Sequence, residues 1–203
     1  MEGLQEDGLK GREHVRAQGM TTVSIDSRRW YAIRVRSRCE KLAAAALASR
    51  QIEVLAAVAP QRRVWADRVR IVEMPLFAGY IFGRFDASHR AEVERTSGVA
   101  TVVRFSDTCC PVEDIEIAAL RVVLGSGLDL QRAPFLRAGR SVEVKHGPLT
   151  GVRGIVLEVK NRYRLVVSIT LLQRSVSVEI DEALVQPLWS PAASAFTPLA
   201  GSL

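Results

Sequence analysis

The sequence has little with which to build a metal or redox site. Cys39, Cys109 and Cys110 are its only cysteines, and His14, His89 and His146 its only histidines. The cysteines are odd in number, form no C-x-x-C, and two are chain neighbours, which rarely bond to each other. A zinc site would need more ligands. Three reduced, non-catalytic thiols are expected, with no metal and no cofactor. No Ser/His/Asp or Cys/His arrangement is evident, and no G-K-[ST] follows Gly147, Gly151 and Gly154, so these glycines are not a phosphate loop. The chain is therefore not expected to be an enzyme. Long apolar runs are missing too. Leu42–Ala48 and Val54–Pro60 are the longest, and the polar Ser49–Glu53 separates them; a bilayer needs about 20 residues. The first 27 residues carry Glu2, Glu6, Asp7, Glu13 and Asp26 and no apolar core, unlike a secretory signal. A cytoplasmic location is expected. No repeat at a solenoid period is present.

Lysine is also scarce. Lys10, Lys41, Lys145 and Lys160 are the only four among 28 basic residues, and the rest are arginine. Arginine forks phosphate and stacks on bases better than lysine, although GC-rich coding produces the same bias. With 48% hydrophobic and 25% charged residues, the 203-residue chain has the composition of a folded protein. Its net charge is +6, which permits contact with nucleic acid without showing it. Residues 1–27 carry −2 and read as a disordered tail, residues 28–125 carry +5, 126–136 are neutral, and 137–203 carry +3. Gly125-Ser126-Gly127 and the stretch towards Pro134 hold breakers, so 126–136 reads as a linker. The Ser/Pro/Ala-rich stretch 189–203 reads as a flexible tail.

The fold class expected is α+β in two units. In the first, 28–125, Trp30–Arg36 alternates as a half-buried strand, with Tyr31, Ile33 and Val35 on one face. Ser37-Arg38-Cys39-Glu40 fits a capping box ahead of an Ala/Leu-rich helix. Glu53–Ala59 and Val64–Val72 read as strands around a basic turn at Gln61-Arg62-Arg63. Gly79–Phe85 and Val99–Phe105 read as strands, Ser88–Ser97 as a short helix, and Pro111 with Glu113, Asp114 and Glu116 as the opening of a last helix. Helices on one side of a largely antiparallel sheet would leave its other face free. The second unit, 137–188, reads as all-β. Val142/Val144, Ile155/Leu157/Val159, Tyr163/Leu165/Val167/Ile169 and Val176/Val178/Ile180 alternate, and Leu184–Gln186 is a short fifth strand. Five such strands are the size of a small barrel, and Gly147, Gly151 and Gly154 suit its turns.

Trp30-Tyr31, then Pro75-Leu76-Phe77-Ala78-Gly79-Tyr80-Ile81-Phe82, then Ser97-Gly98-Val99, resembles the N-terminal domain of the NusG family. Val142-Glu143-Val144 followed by Gly147-Pro148-Leu149-Thr150-Gly151-Val152-Arg153-Gly154 resembles the KOW motif. The resemblance covers roughly residues 28–188. It implies a ferredoxin-like sheet with helices, an α/β sandwich, followed by a small SH3-like barrel. It further implies a bacterial transcription elongation or antitermination factor, a monomer that docks on the clamp helices of RNA polymerase and suppresses pausing or termination. Departures from the family occur at two places. Ala78 stands where the family usually has Pro, and Leu171-Leu172-Gln173-Arg174 stands where housekeeping members carry Ile-Phe-Gly-Arg. The second departure makes the chain more similar to UpxY-type operon-specific antiterminators of surface-polysaccharide genes. The housekeeping NusG and a ribosomal or RNA-binding KOW protein acting in translation are the alternatives.

The site residues the resemblance implies are Phe77, Tyr80 and Leu76 as the apolar polymerase anchor, with Arg34 on its polar rim. Arg36, Arg38 and Arg90 are candidates for non-template DNA, and His89 for a second polymerase contact. Leu171, Leu172, Gln173 and Arg174 are the KOW partner surface, with a ribosomal protein as a candidate partner. Each has a plainer reading. Phe77 and Tyr80 fit an ordinary core, the arginines a solvated strand face, and His89 a surface helix. Arg62, Arg63, Arg68 and Arg70 fit a solvated hairpin.

Overall fold

The computed structural model describes residues 27–65, 68–136, 139–159 and 162–188. Of the tails expected at 1–27 and 189–203, residues 1–26 and 189–203 lie outside the described residues. In the first unit the order is β1 (Arg29–Val35), α1 (Glu40–Ala48), β2 (Glu53–Leu55), β3 (Val58–Val64), β4 (Val69–Pro75) and β5 (Tyr80–Phe85). A 3-10 turn at Ala87–His89, α2 (Arg90–Glu94), β6 (Val99–Val102), β7 (Arg104–Phe105), β8 (Thr108–Cys109), β9 (Pro111–Val112) and α3 (Asp114–Gly125) follow.

Strand β1 organises this unit. It pairs antiparallel with β5, from Arg29 opposite Phe85 to Arg34 opposite Tyr80, and with β6 and β9; β2 adds to the far side of β5. The expected alternation holds. Tyr31, Ile33 and Val35 face Ala43 and Leu47 of α1 and Val93 of α2, and the rings of Tyr31 and Phe85 lie 4.9 Å apart. The opposite face is not free, as had been expected. Trp30 is 4% exposed and Ala32 fully buried, in a cluster with Phe77, Phe82 and Ile117, Leu120 and Val123 of α3. The spacing of these three residues, three apart, puts them on one stripe of the helix, and Arg121 of the same helix stacks its guanidinium 4.8 Å from the Trp30 ring.

Three local expectations are corrected. The helix α1 starts after Cys39, whose side chain makes no capping bond; Ser37 does not cap it. The reason is a competing bond: the Glu40 carboxylate, 8% exposed, accepts from the Gly79 backbone N–H at 2.9 Å. The turn between β3 and β4 is not at Gln61–Arg63 but beyond Val64, where Trp65 N–H donates to the Arg68 carbonyl at 2.8 Å. Arginine has no turn preference, and in a two-stranded ribbon exposed on both faces it extends the strand. Pro111 does not open α3. It pairs with Tyr31 in β9, and the helix begins at Asp114, with Asp114 and Glu116 in its first turn where the helix dipole favours acids.

The second unit is one antiparallel sheet of β10 (Leu130–Pro134), β11 (Arg140–Val144), β12 (Arg153–Val159), β13 (Arg162–Ile169), β14 (Arg174–Ile180) and β15 (Val185–Pro187), in the order β10-β14-β13-β12-β11-β15. Strands β11 to β15 stand close to where the alternation placed them. The stretch 126–136, expected as a linker, holds β10 instead, paired from Leu130 opposite Val178 to Pro134 opposite Arg174. Leu130 is buried and pins the strand, and Pro134 is tolerated because β10 is a sheet edge.

The two units are not separate beads. One apolar cluster runs from Trp30, Phe77 and Phe82 through α3 into Val142, Leu165, Val167 and Val176 of the second sheet. Among the described residues, no helix is long and apolar enough to cross a membrane.

The glycines of the second unit do as expected. Gly147 and Gly151 sit at φ 85° and 82°, a backbone region that side chains disfavour. Gly154 is needed for space: a Cβ there would lie 2.5 Å from the Val166 carbonyl oxygen. Gly154→Ala should therefore destabilise the protein by about 1–3 kcal/mol, measured as a lowered midpoint in chemical denaturation.

Candidate docking surface and basic cleft

The turn between β4 and β5 carries the aromatic block. Tyr80 N–H donates to the Phe77 carbonyl at 2.9 Å, and the Gly79 carbonyl accepts from Val35 N–H at 2.9 Å. Gly79 has φ 81°. With the Glu40 bond, this fixes the turn against both β1 and the start of α1. Leu76 and Phe77 are buried, Phe77 at 1% exposure, and Tyr80 is half-buried. Phe77 meets Phe82 edge-on, with ring centres 5.6 Å apart.

The second unit lies on this turn. Arg174 donates through Nη1 to the Ala78 carbonyl at 2.9 Å, and its guanidinium carbon lies 4.9 Å from the centre of the Tyr80 ring. Leu171 and Leu172 pack against the same apolar cluster as Phe77, and Gln173 turns the chain at φ 48°. Two groups of residues singled out for different partners thus meet each other. Three further contacts close the junction. Glu116 of α3 accepts from Thr170 N–H at 3.2 Å and Thr170 Oγ1 at 2.5 Å. Arg132 of β10 donates to the Pro75 carbonyl at 2.6 and 3.1 Å. Gln61 Nε2 donates to the Leu130 carbonyl at 2.6 Å. None of Glu116, Thr170, Arg132 and Gln61 stands out in the sequence as a contact residue. Their partners lie 54 to 69 residues away along the chain, and no local pattern marks such pairs.

The arginine candidates separate. Arg34, exposed and opposite Tyr80 across the β1–β5 pairing, and Arg38 line a cavity of about 680 Å³ between the units, together with Lys41, Arg132 and Arg174. Arg36 and Arg90 are not among its lining residues. Arg90 pairs with Glu94 at 3.7 Å one helical turn on. His89 ends the 3-10 turn that Asp86 caps, exposed, with Nδ1 3.4 Å from Ser88 Oγ. Hydrogen bonds from Ser27 and Ser88 hold the Asp86 carboxyl well below the usual carboxylate range. Among the described residues, no group of three or more His, Cys, Asp or Glu is arranged to hold a metal ion.

Residues 28–121, most of the first unit, match the family model described as "Transcription termination factor nusG". No curated protein sequence matches significantly. Among solved structures, the chain is similar to Thermotoga maritima NusG, in a structure described as showing domain interaction. The identity is 17% and the TM-score 0.47, over 80% of this chain and 98% of that one. A structure of the MjSpt4:Spt5 complex is similar at 18% identity and a TM-score of 0.28, over 78% of this chain and 97% of that one.

The polar rim of the junction can be removed without touching the apolar cluster beneath it. Glu116→Ala combined with Arg174→Ala should cost the docked arrangement about 1–3 kcal/mol. A larger radius of gyration by small-angle X-ray scattering, without loss of secondary structure by circular dichroism, is the expected result.

Proposed function

We propose that this protein is a bacterial transcription elongation and antitermination factor that binds RNA polymerase through its first unit and has no catalytic activity of its own. The observation that carries the reading is the match of residues 28–121 to the NusG family model. Leu76, Phe77 and Tyr80 are the apolar anchor for the polymerase clamp helices, with Arg34 on the rim; buried aromatics are the usual centre of such a contact. Arg36, Arg38 and Arg90 are candidates for non-template DNA, whose phosphates and bases arginine suits, and His89 for a second polymerase contact. The six-stranded sheet is read as a KOW-type unit of SH3-like kind, and Leu171–Arg174 as its partner surface. The missing aromatic and glycine in that stretch favour an operon-specific, UpxY-like role over the housekeeping one.

Geometry adds an order of events. Phe77 is 1% exposed and Tyr80 lies under Arg174, so a partner helix reaches them once the second unit has moved away. Leu171–Arg174 is released in the same step and becomes available to its own partner.

Co-purification tests the reading. The full chain should recover RNA polymerase, and Tyr80→Ala should weaken that recovery about tenfold, as loss of a hot-spot aromatic does. The Glu116→Ala/Arg174→Ala variant should bind more tightly than the parent, by up to about tenfold. Recovery with ribosomal subunits in place of polymerase would sink the proposal in favour of a translation role. Polymerase occupancy across most transcription units would exclude the operon-specific role.

A further inference from the structure

The cleft between the units concentrates positive charge that the protein neutralises only in part. Five cationic side chains line it: Arg34, Arg38 and Lys41 from the first unit, Arg132 from β10 and Arg174 from β14. Two carboxylates face them and offset part of that charge, which leaves a net excess of three positive charges. Glu40 is committed to the Gly79 N–H, and Glu73 pairs with Lys41. Arg132 and Arg174 donate to neutral carbonyls, those of Pro75 and Ala78, which orient the guanidinium groups and leave their charge uncompensated. Among the described residues, Arg34 and Arg38 have no hydrogen-bond or ion-pair partner of their side chains. Arg38 also holds φ 61°, a conformation a long side chain adopts only where its surroundings impose it, and such positions cluster at binding sites.

We propose that this cleft binds a small phosphate-bearing anion, and that the ligand holds the two units docked. Guanidinium forks match phosphate oxygens two at a time. A cavity of about 680 Å³ lies in the range of small-molecule sites and has room for a di- or triphosphate. Its wall is partly apolar, with Val35, Val58, Met74 and Tyr80, a surface on which a nucleoside would rest. Because the cations come from both units, the site exists only while they are docked. A ligand that binds the docked form alone stabilises it by mass action, and whatever separates the units expels the ligand by the same coupling. This inference stands on the docked geometry and does not depend on the partner of the first unit.

Calorimetric titration of the full chain with inorganic pyrophosphate, and separately with ATP, tests it. Saturable binding at one site is expected, about tenfold weaker or more in Arg34→Ala/Arg38→Ala and likewise in Arg174→Ala. Arg95→Ala, an exposed arginine outside the cleft, should bind as the parent does. Glu116→Ala, which removes a contact at the junction and leaves the cleft lining intact, should scatter as a more compact particle with the ligand than without it. Tighter binding of ATP than of pyrophosphate identifies a nucleotide site, and equal binding a phosphate site. Three results would overturn the proposal. The first is no saturation with either probe, and the second is binding that the cleft substitutions leave unchanged. The third is uptake of a single-stranded oligonucleotide that pyrophosphate does not displace, which would make the arginines part of a nucleic-acid surface.

Discussion

Burial of β1 on both faces is the constraint from which the remaining structure follows. One face is covered within the first unit by α1 and α2. The other is covered by α3, and the apolar surface there continues past the helix into the second sheet. Each large side chain taken fully out of water contributes about 1.5–3 kcal/mol, and the packing of α3 on β13 within that one cluster gives the contact between the units an apolar base. The polar contacts at its edge, Glu116 with Thr170 and Arg174 with Ala78, add about 1–3 kcal/mol and set the register. The junction is thus apolar in its middle and polar at its rim, the anatomy of an interface between proteins, here within one chain.

Much of the fold was legible in the residues because its signals are local. The period-2 alternation of Tyr163, Leu165, Val167 and Ile169 placed β13, and the breaks at Gly147 and Gly151 placed the turn before β12. The aromatic block at Pro75–Phe82 was visible as a candidate site for the same reason. What was not legible depends on competition across distance. The Ser37–Glu40 pattern satisfies a capping rule, yet Gly79, far along the chain, takes the glutamate. Leu130–Pro134 sits among helix breakers and reads as a linker, yet an open edge on β14 recruits it. Trp30 and Ala32 read as the solvated side of a half-buried strand, because nothing near them says that α3 returns to cover them.

The same distinction explains the candidate sites. Phe77, Tyr80 and Leu171–Arg174 were each visible by residue type, as surfaces for different partners. That they cover each other is a property of the tertiary arrangement. The cleft is a stronger case: Arg34 and Arg38 stood out as exposed arginines, whereas Arg132 lay in a stretch without a role, and only folding brings the three to one cavity.

The incorporation of β10 into the second sheet has a mechanical consequence. Four residues, Ser126 to Asp129, are all that separate the end of α3 from the start of β10. Fully stretched, they reach about 14 Å. A leash that short keeps the second unit at a high effective concentration over the first, and a competitor for the covered surface must work against it. It also limits where the second unit can go. A larger excursion requires β10 to peel from β14, which lengthens the leash to the fourteen residues between α3 and β11 and about 48 Å, with β10 left on the first unit by its Gln61–Leu130 and Arg132–Pro75 bonds. The edge strand is therefore a reel: its pairing sets how much line the second unit is given.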